Sequence, residues 1–341
     1  MYSESDIDAA VRGGALSAEA AESLRGFVAR SRSSRGADEE SFRLLTGFND
    51  IFVTIALVLV FAAAAALIPK SARLAEGPAL AAASWGLAEY FTRHRRMALP
   101  SIVLVLIFVG SAFTAVYLPL QAAFTDAAAP GGHPMRAGIA ALLVAAVAAF
   151  AHWRRFMVPI TVAALVLAAA GTVLLTVFAT VRSAESVGLP LIFVAGLAIF
   201  AVAMWWDSGD RRRVTRRADT AFWLHLAAAP LIVHPVFQGL HVLAPRVPVA
   251  NAALAVAAYL LLVLVALAVD RRALLVSSLA YVLIAMSRLL SHNGGVNSAF
   301  AVAALGIGTC LLLLSAAWQG GRKILVGGLS PALQALLPPV A

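Results

Sequence analysis

The chain has 341 residues, of which 62% are hydrophobic and only 13% are charged, and its formal net charge is +9. A soluble domain carries about 25% charged residues, so this composition excludes a soluble globular protein and makes lipid the solvent for most of the surface. The basic residues lie at the ends of apolar runs instead of on one polar domain, which argues against nucleic-acid binding and for contact with anionic lipid headgroups.

Residues 1–47 predict a small cytoplasmic helical hairpin and a linker. The run 6–11 favours one short helix that Gly13 and Gly14 end, and Ser17 is a predicted cap for a second helix at 20–29. Segment 31–40 is polar and predicts a flexible linker. The tail lacks the apolar core and cleavage site of a signal peptide. The hairpin would bind a partner protein or dock on the membrane region, or it would act only as a local folding and topology signal.

Ten apolar segments follow the tail. A spanning helix needs about 20 apolar residues. The segments are 50–68, 77–91, 99–118, 136–151, 157–180, 188–206, 218–240, 250–269, 273–290 and 298–318. The second is the weakest, because it is short and carries Glu89. The pattern predicts an all-α transmembrane bundle at 48–320 and a short cytoplasmic or interfacial segment at 321–341.

Basic clusters end every second segment and indicate the orientation of the bundle. The clusters are Arg93 to Arg96, Arg154 with Arg155, Arg211 to Arg217, Arg271 with Arg272, and Arg322 with Lys323. With both termini inside, most of the 26 Lys and Arg residues lie at the inner face. The bias is that of the positive-inside rule, and it predicts that both termini are cytoplasmic.

The spacing of the clusters also suggests an internal repeat. In two of them a basic pair, Arg95-Arg96 or Arg154-Arg155, is followed by a proline, Pro100 or Pro159, at the start of the next apolar run. The unit would be a two-helix hairpin, since periods of this size are a sign of repeat architecture. The alternative is that short inner loops converge on such motifs independently.

The seventh segment contains most of the polar candidates. Pro230 and Pro235 lie inside it and predict a broken helix, which in transporters often forms a binding site. The alternative is a proline-kinked helix without a transport role. Ionisable groups inside spans are costly and therefore candidates for function. The substrate-binding candidates are Asp219, His225, His234, Gln238 and Arg288.

The remaining candidates concern proton coupling and metal binding. Glu89 would be a proton-coupling carboxylate if it were buried beside a partner such as His225, and otherwise it would simply pair with Arg93. His234 is a weak candidate for a metal or haem site with His241 or His292. The single cysteine, Cys310, excludes a thiolate metal site. We therefore expect no cofactor.

The tail resembles that of one protein family. The run 6–21 contains Leu16-Ser17-any-Glu19-any-Ala21, and Thr46 to Asp50 lead into the first apolar segment. This pattern is similar to a family of bacterial polytopic predicted membrane proteins of unknown function, which carry a short N-terminal helical hairpin. The resemblance implies a bacterial inner membrane and carries over no functional residue.

Three functions remain open from the sequence. The first is a transporter or permeation pathway for a small solute, with its site around the seventh helix. The second is a non-catalytic scaffold or sensor that acts through the N-terminal hairpin, and the third is a haem- or metal-binding membrane protein. The chain has no nucleophile elbow, phosphate loop or paired-aspartate motif, which argues against an enzyme.

Overall fold

Helices make up all regular secondary structure in the described part of the chain. The computed structural model describes residues 4–35, 48–125, 133–181, 187–211, 213, 215–244, 247–290 and 296–340. The helices are α1 (Glu4–Arg12), α2 (Ala18–Arg35), α3 (Phe48–Leu67), α4 (Arg73–Ala88), α5 (Ala98–Thr125), α6 (His133–Phe156), α7 (Pro159–Thr180), α8 (Gly188–Ser208), α9 (Arg216–Gly239), α10 (Val249–Val269), α11 (Ala273–Leu290), α12 (Val296–Ala316), α13 (Trp318–Gly327) and α14 (Pro331–Leu336). A π-helical turn, Glu89–His94, follows α4 and is called the π turn below.

The N-terminal residues, Met1–Phe42, form a compact unit of their own. The hydroxyl of Ser17 accepts a hydrogen bond from the backbone N–H of Ala20 at 3.1 Å, so the predicted cap is confirmed. Helix α2 runs on to Arg35, into the segment predicted as a linker, because no glycine or proline interrupts it between Gly26 and Gly36. Residues 36–40 of that predicted linker lie outside the described residues.

The second unit, Arg43–Val340, contains the helices that can cross a membrane. Among the described residues seven helices, α3 and α5 to α10, are long and apolar enough to do so. Helices α12 and α13 make an eighth candidate if they count as one span bent by 71°. Helix α4, with 16 residues, and the apolar part of α11, Ala273–Ser287, are shorter. The chain thus has the helices of a multispanning membrane protein, and the total of ten spans stays a prediction.

Large apolar side chains cover the outside of several of these helices. Leu59 of α3, Leu261 of α10 and Leu312 of α12 are all more than half exposed. Monomeric soluble proteins rarely expose extended apolar patches. This surface matches the low charge content of the chain and suits a bilayer.

Helix α9 is the centre around which the other helices pack. It contacts α7, α8 and α11, and it is the most buried of the candidate spans. Leu224, Ala228 and Ala229 of α9 are fully buried in an apolar cluster with residues of α7, α8 and α11. The predicted break of this helix is not found, because α9 runs as one helix through Pro230 and Pro235. Packing on several sides holds the turns from which the prolines remove backbone hydrogen bonds.

Helices α3 to α7 and α8 to α12 form two groups, which meet mainly where α7 packs on α9. Leu57 of α3, Leu104 of α5 and Phe156 at the end of α6 lie in the core of the first group. Val233 of α9, Tyr259 of α10 and Val282 of α11 lie in a core of the second group. Helix α9 therefore joins the two groups.

Four turns at one end of the bundle share a backbone feature. Arg96, Met157, Arg213 and Asp270 each adopt a positive φ between 53° and 58°. The ion pair of Arg155 with Glu89 joins the first two of these turns, and that of Arg213 with Asp270 joins the last two. Arg216, at the start of α9, lines the same cavity as Arg96 and Met157, so all four turns lie at one end, which we call the basic end. A left-handed residue after a helix is a common way to end it. His241, in the turn after α9, has the same conformation with a φ of 53°, so the feature is not confined to this end and the internal repeat stays a prediction.

Gly196 permits the close approach of α8 to α9 and provides a test of this packing. An ideal Cβ at Gly196 would lie 2.9 Å from the backbone nitrogen of Ile232, whereas a Cβ at Gly110 of α5 would meet no atom within 4 Å. Gly196→Ala should therefore lower the free energy of unfolding by about 1–3 kcal/mol through overpacking. Gly110→Ala is the matched control and should not lower it. Thermal melting in detergent measures both, and equal melting temperatures would contradict this packing.

Candidate functional site

A buried ion cluster joins three helices near the basic end. The carboxylate of Asp207, in the last turn of α8, accepts two hydrogen bonds from Arg271, at 2.6 and 3.2 Å. It also lies 3.0 Å from Nε2 of His225 in α9. The side chains of all three residues are at most 4% exposed. Arg271 donates a further hydrogen bond to the carbonyl of Ala218 at 3.1 Å. The charge is therefore matched within the protein, as burial requires.

A second carboxylate, that of Asp270, contacts residues of the turn before α9 and of α13. It forms an ion pair of 2.7 Å with Arg213 and accepts a hydrogen bond of 2.7 Å from the indole of Trp318. Arg322 lies 3.8 Å from Asp270 and donates to the carbonyls of Leu267, Pro338 and Pro339. These bonds tie the turn before α11 to α13 and to the end of the described chain.

These contacts correct one expectation. Arg271 and Arg322 were expected to meet lipid headgroups, but they are only 4% and 2% exposed and bind groups of the protein. Helix α13 runs across residue 320, and Leu337 is buried against Val269 and Val326, while the cytoplasmic or interfacial location of 321–341 stays a prediction. Asp207 and Asp270 balance the positive charge of these two arginines within the protein.

A polar cavity of about 450 Å³ opens at the same end, between the two groups of helices. Its wall comes from the π turn, the start of α5, the turn between α6 and α7, and the start of α9. Its lining residues are Thr92, Arg93, Arg96, Met97, Ala98, Ser101, Arg155, Phe156, Met157, Val158, Pro159, Arg216 and Asp219. A cavity of this volume is in the range that holds small molecules.

Two of the four cavity arginines share one carboxylate. Arg155 of α6 donates to both oxygens of Glu89, at 2.7 and 3.1 Å, and Arg93 forms a weaker pair with it at 3.4 Å. Glu89 lies beyond the end of α4, outside the candidate spans, and hydrogen bonding to Arg155 holds its pKa below the usual value. The alternative that Glu89 pairs with Arg93 is confirmed. The structure does not bring Glu89 together with His225.

Four other polar side chains of the cavity have no hydrogen-bond or ion-pair partner among the described residues. In the described part of the chain, neither Arg96 nor Arg216 has a carboxylate within ion-pair distance, and the Asp219 carboxylate accepts no hydrogen bond. The hydroxyl of Thr92 is buried and has no hydrogen-bond partner among the described residues. Buried polar groups are normally satisfied, so this wall is suited to a polar ligand.

The predicted substrate-binding residues fall into three separate places. Asp219 lines the cavity, and His225 belongs to the buried ion cluster. His234 and Gln238 are exposed farther along α9, where the Nδ1 of His234 lies 2.7 Å from the hydroxyl of Tyr281. The 15 residues between Asp219 and His234 correspond to about 22 Å of helix. The side chain of Arg288 lies outside those that the structure describes.

The metal candidates also remain apart or fall outside the described residues. His234 is engaged with Tyr281, and His292 lies outside the described residues. His241 is exposed in the turn after α9. Among the residues that were described, no three His, Cys, Asp or Glu side chains are grouped as metal ligands would be.

Three buried or half-buried residues were missed in the sequence. Asp270 stands directly before Arg271, and Asp207 stands four residues before Arg211, so an acidic residue close to a basic cluster was the available signal. His152 of α6 is fully buried among the rings of Trp85, Phe108 and Phe156. No motif surrounds His152, so its burial could be recognised only in the folded chain.

Comparison of the chain with protein-family models, with curated proteins and with solved structures finds no match. The resemblance to a bacterial membrane family therefore stays a prediction. What the protein does must follow from the buried ion cluster and the cavity.

Asp207→Asn tests whether the ion cluster holds the helices together. The substitution removes the carboxylate charge that accepts two hydrogen bonds from the buried guanidinium of Arg271, so the free energy of unfolding should fall by about 3–5 kcal/mol. Thermal melting in detergent is the measurement. Glu89→Gln, which breaks a solvent-exposed pair, is the control and should change the melting temperature little. An Asp207→Asn protein that melts with the wild type would contradict a stabilising role.

Proposed function

We propose that this protein transports a small solute, or lets it permeate, and that the cavity at the basic end is the inner mouth of its pathway. The observation that carries the proposal is the cavity itself, which is polar, about 450 Å³ in volume and lined by four arginines and one aspartate. A cavity with this volume and lining is a suitable entrance for a small polar solute.

The position of the cavity supports a transport role. Its residues come from α5, α6 and α7 of the first group and from α9 of the second group. Many transporters place the solute between two groups of helices that move relative to each other. Beyond the cavity α9 is tightly packed, since Ala228 and Ala229 are fully buried. This arrangement corresponds to a form that is open at the basic end and closed toward the other side.

The orientation follows from the same charges. We place the basic end in the cytoplasm of a bacterial cell, with both termini inside and ten spans across the inner membrane. The alternation of basic turns along α4 to α11 supports this placement through the positive-inside rule. Lys70 and Arg73, before α4, would then face outside.

The N-terminal unit favours a second candidate function, that of a scaffold or sensor. Arg25 of α2 pairs with Asp8 of α1 at 2.7 Å, which holds the hairpin closed. Leu24 and Phe27 of α2 are 41% and 63% exposed, so an apolar surface is available to a partner protein. If the protein transports no solute, binding of a partner protein to this surface is the alternative function.

Flux into proteoliposomes tests the transport proposal. Small labelled organic anions should enter vesicles that contain the protein faster than protein-free vesicles, because the cavity has an excess of positive charge. Labelled glucose serves as the neutral comparison. The double substitution Arg96→Gln with Arg216→Gln should abolish the flux.

The matched control is Arg95→Gln with Arg217→Gln, which removes two neighbouring arginines that do not line the cavity. This control should keep the flux. Absence of flux for every solute in correctly folded protein would contradict transport and would favour the scaffold. Loss of function on deletion of residues 1–42, with the cavity variants fully functional, would lead to the same conclusion.

A further inference from the structure

The arginines at the basic end form two sets that differ in how their charge is matched. Arg213 and Arg271 belong to the first set, and each has an aspartate at hydrogen-bond distance. The second set is Arg93, Arg96, Arg155 and Arg216 around the cavity. Glu89 pairs with two of these arginines, and Asp219 lines the cavity with them, so the four arginines and two carboxylates together have a formal excess of two positive charges.

We propose that the cavity binds the phosphate group of a phosphate monoester, whose charge near neutral pH approaches −2. The excess of two positive charges matches a dianion better than it matches a monocarboxylate or a phosphodiester. The inference rests on the proposed function in one respect, which is that the ester would be the solute transported. Binding itself does not depend on transport.

Arginine is the appropriate side chain for this ligand. A guanidinium presents a planar fork of N–H donors that fits two phosphate oxygens at once. Arg96 and Arg216 are both exposed and line the cavity, and neither forms an ion pair with a carboxylate among the described residues. They are therefore available to hold the phosphate from two sides, one from the turn before α5 and the other from the start of α9.

Three helices begin at the cavity wall. Ala98, Pro159 and Arg216 are the first residues of α5, α7 and α9, and all three line the cavity. Each helix has a partial positive charge at its N-terminus, which favours a bound anion. Thr92 also lines the cavity, and its buried hydroxyl has no hydrogen-bond partner among the described residues. A rotation about its χ1 bond would let this hydroxyl donate to a phosphate oxygen.

Asp219 indicates what else the ligand carries. A carboxylate beside a phosphate site would repel inorganic phosphate, but it accepts a hydrogen bond from a hydroxyl group on the same ligand. Asp219 lies one turn after Arg216 on α9, so one ligand of the cavity's size can reach both. The site should thus prefer a hydroxylated ester, such as glycerol 3-phosphate, to inorganic phosphate.

Phosphate monoesters reach this end of the protein from two sources. One is a soluble organic phosphate, and the other is the headgroup of phosphatidic acid in the membrane. Calorimetric titration of the full-length protein in detergent with glycerol 3-phosphate tests the first source. Titration in nanodiscs, with phosphatidic acid or with phosphatidylglycerol, tests the second. Binding of either monoester supports the inference, and equal binding of phosphatidylglycerol, a diester, overturns it.

The variants locate the site. Arg96→Gln and Arg216→Gln should each raise the Kd for the bound monoester by about tenfold to a hundredfold, the range expected for a lost charge-assisted hydrogen bond. Arg95→Gln and Arg217→Gln, the adjacent arginines outside the cavity, should change it by less than about twofold. Arg96→Lys and Arg216→Lys keep the charge, and they should weaken binding less than glutamine does.

The remaining outcomes separate this inference from transport. Asp219→Asn should reduce the preference for glycerol 3-phosphate over inorganic phosphate if a soluble ester is the ligand. If no monoester binds, or if Arg95→Gln weakens binding as much as Arg96→Gln, the inference is wrong. Binding without flux would overturn the proposed transport and leave this inference standing. Flux of another solute without monoester binding would overturn this inference and support the proposed transport.

Discussion

The buried carboxylate of Asp207 is the constraint on which the basic end of this protein depends. An ionised group with 1% of its side chain exposed is stable only if opposite charge and hydrogen-bond donors surround it. Arg271 and His225 supply them from two other helices. The position of α8 relative to α9 and α11 is therefore coupled to one carboxylate, and Asp270 does the same for α10 and α13 through Arg213 and Trp318.

This matching of charge separates the arginines that stabilise the structure from those that are available to a ligand. Those with aspartate partners hold the helices together, and they are not available to bind a solute. Those around the cavity are offset only in part by Glu89 and Asp219, and they lie where α5, α7 and α9 begin. The same basic pattern in the sequence thus has two uses, which differ in how completely acidic residues balance the positive charge. Helix α9 belongs to both, since His225 is in the ion cluster and Arg216 is in the cavity.

The helices could be predicted from the sequence better than the sites. Apolar runs located α3 and α5 to α10, and Ser17 was recognised as a cap, because both signals are local. The effect of Pro230 and Pro235 was misjudged, because helices packed on several sides of α9 decide whether a proline breaks it. The pairing of Asp207 with Arg271 joins residues 64 apart, and no local pattern indicates it. The positive-inside rule accounts for arginines by orientation alone, so it assigned Arg271 and Arg322 to the headgroups.

The central claim is that the arginines at the basic end form a buried, paired set and an open set. Modification of the protein in native membranes with phenylglyoxal, followed by peptide mass spectrometry, measures this division directly. Arg96 and Arg216 should react quickly, and Arg271 and Arg322 should react only after unfolding, since they are 4% and 2% exposed. Reaction of Arg271 and Arg322 at the rate of Arg96 in the folded protein would contradict the account.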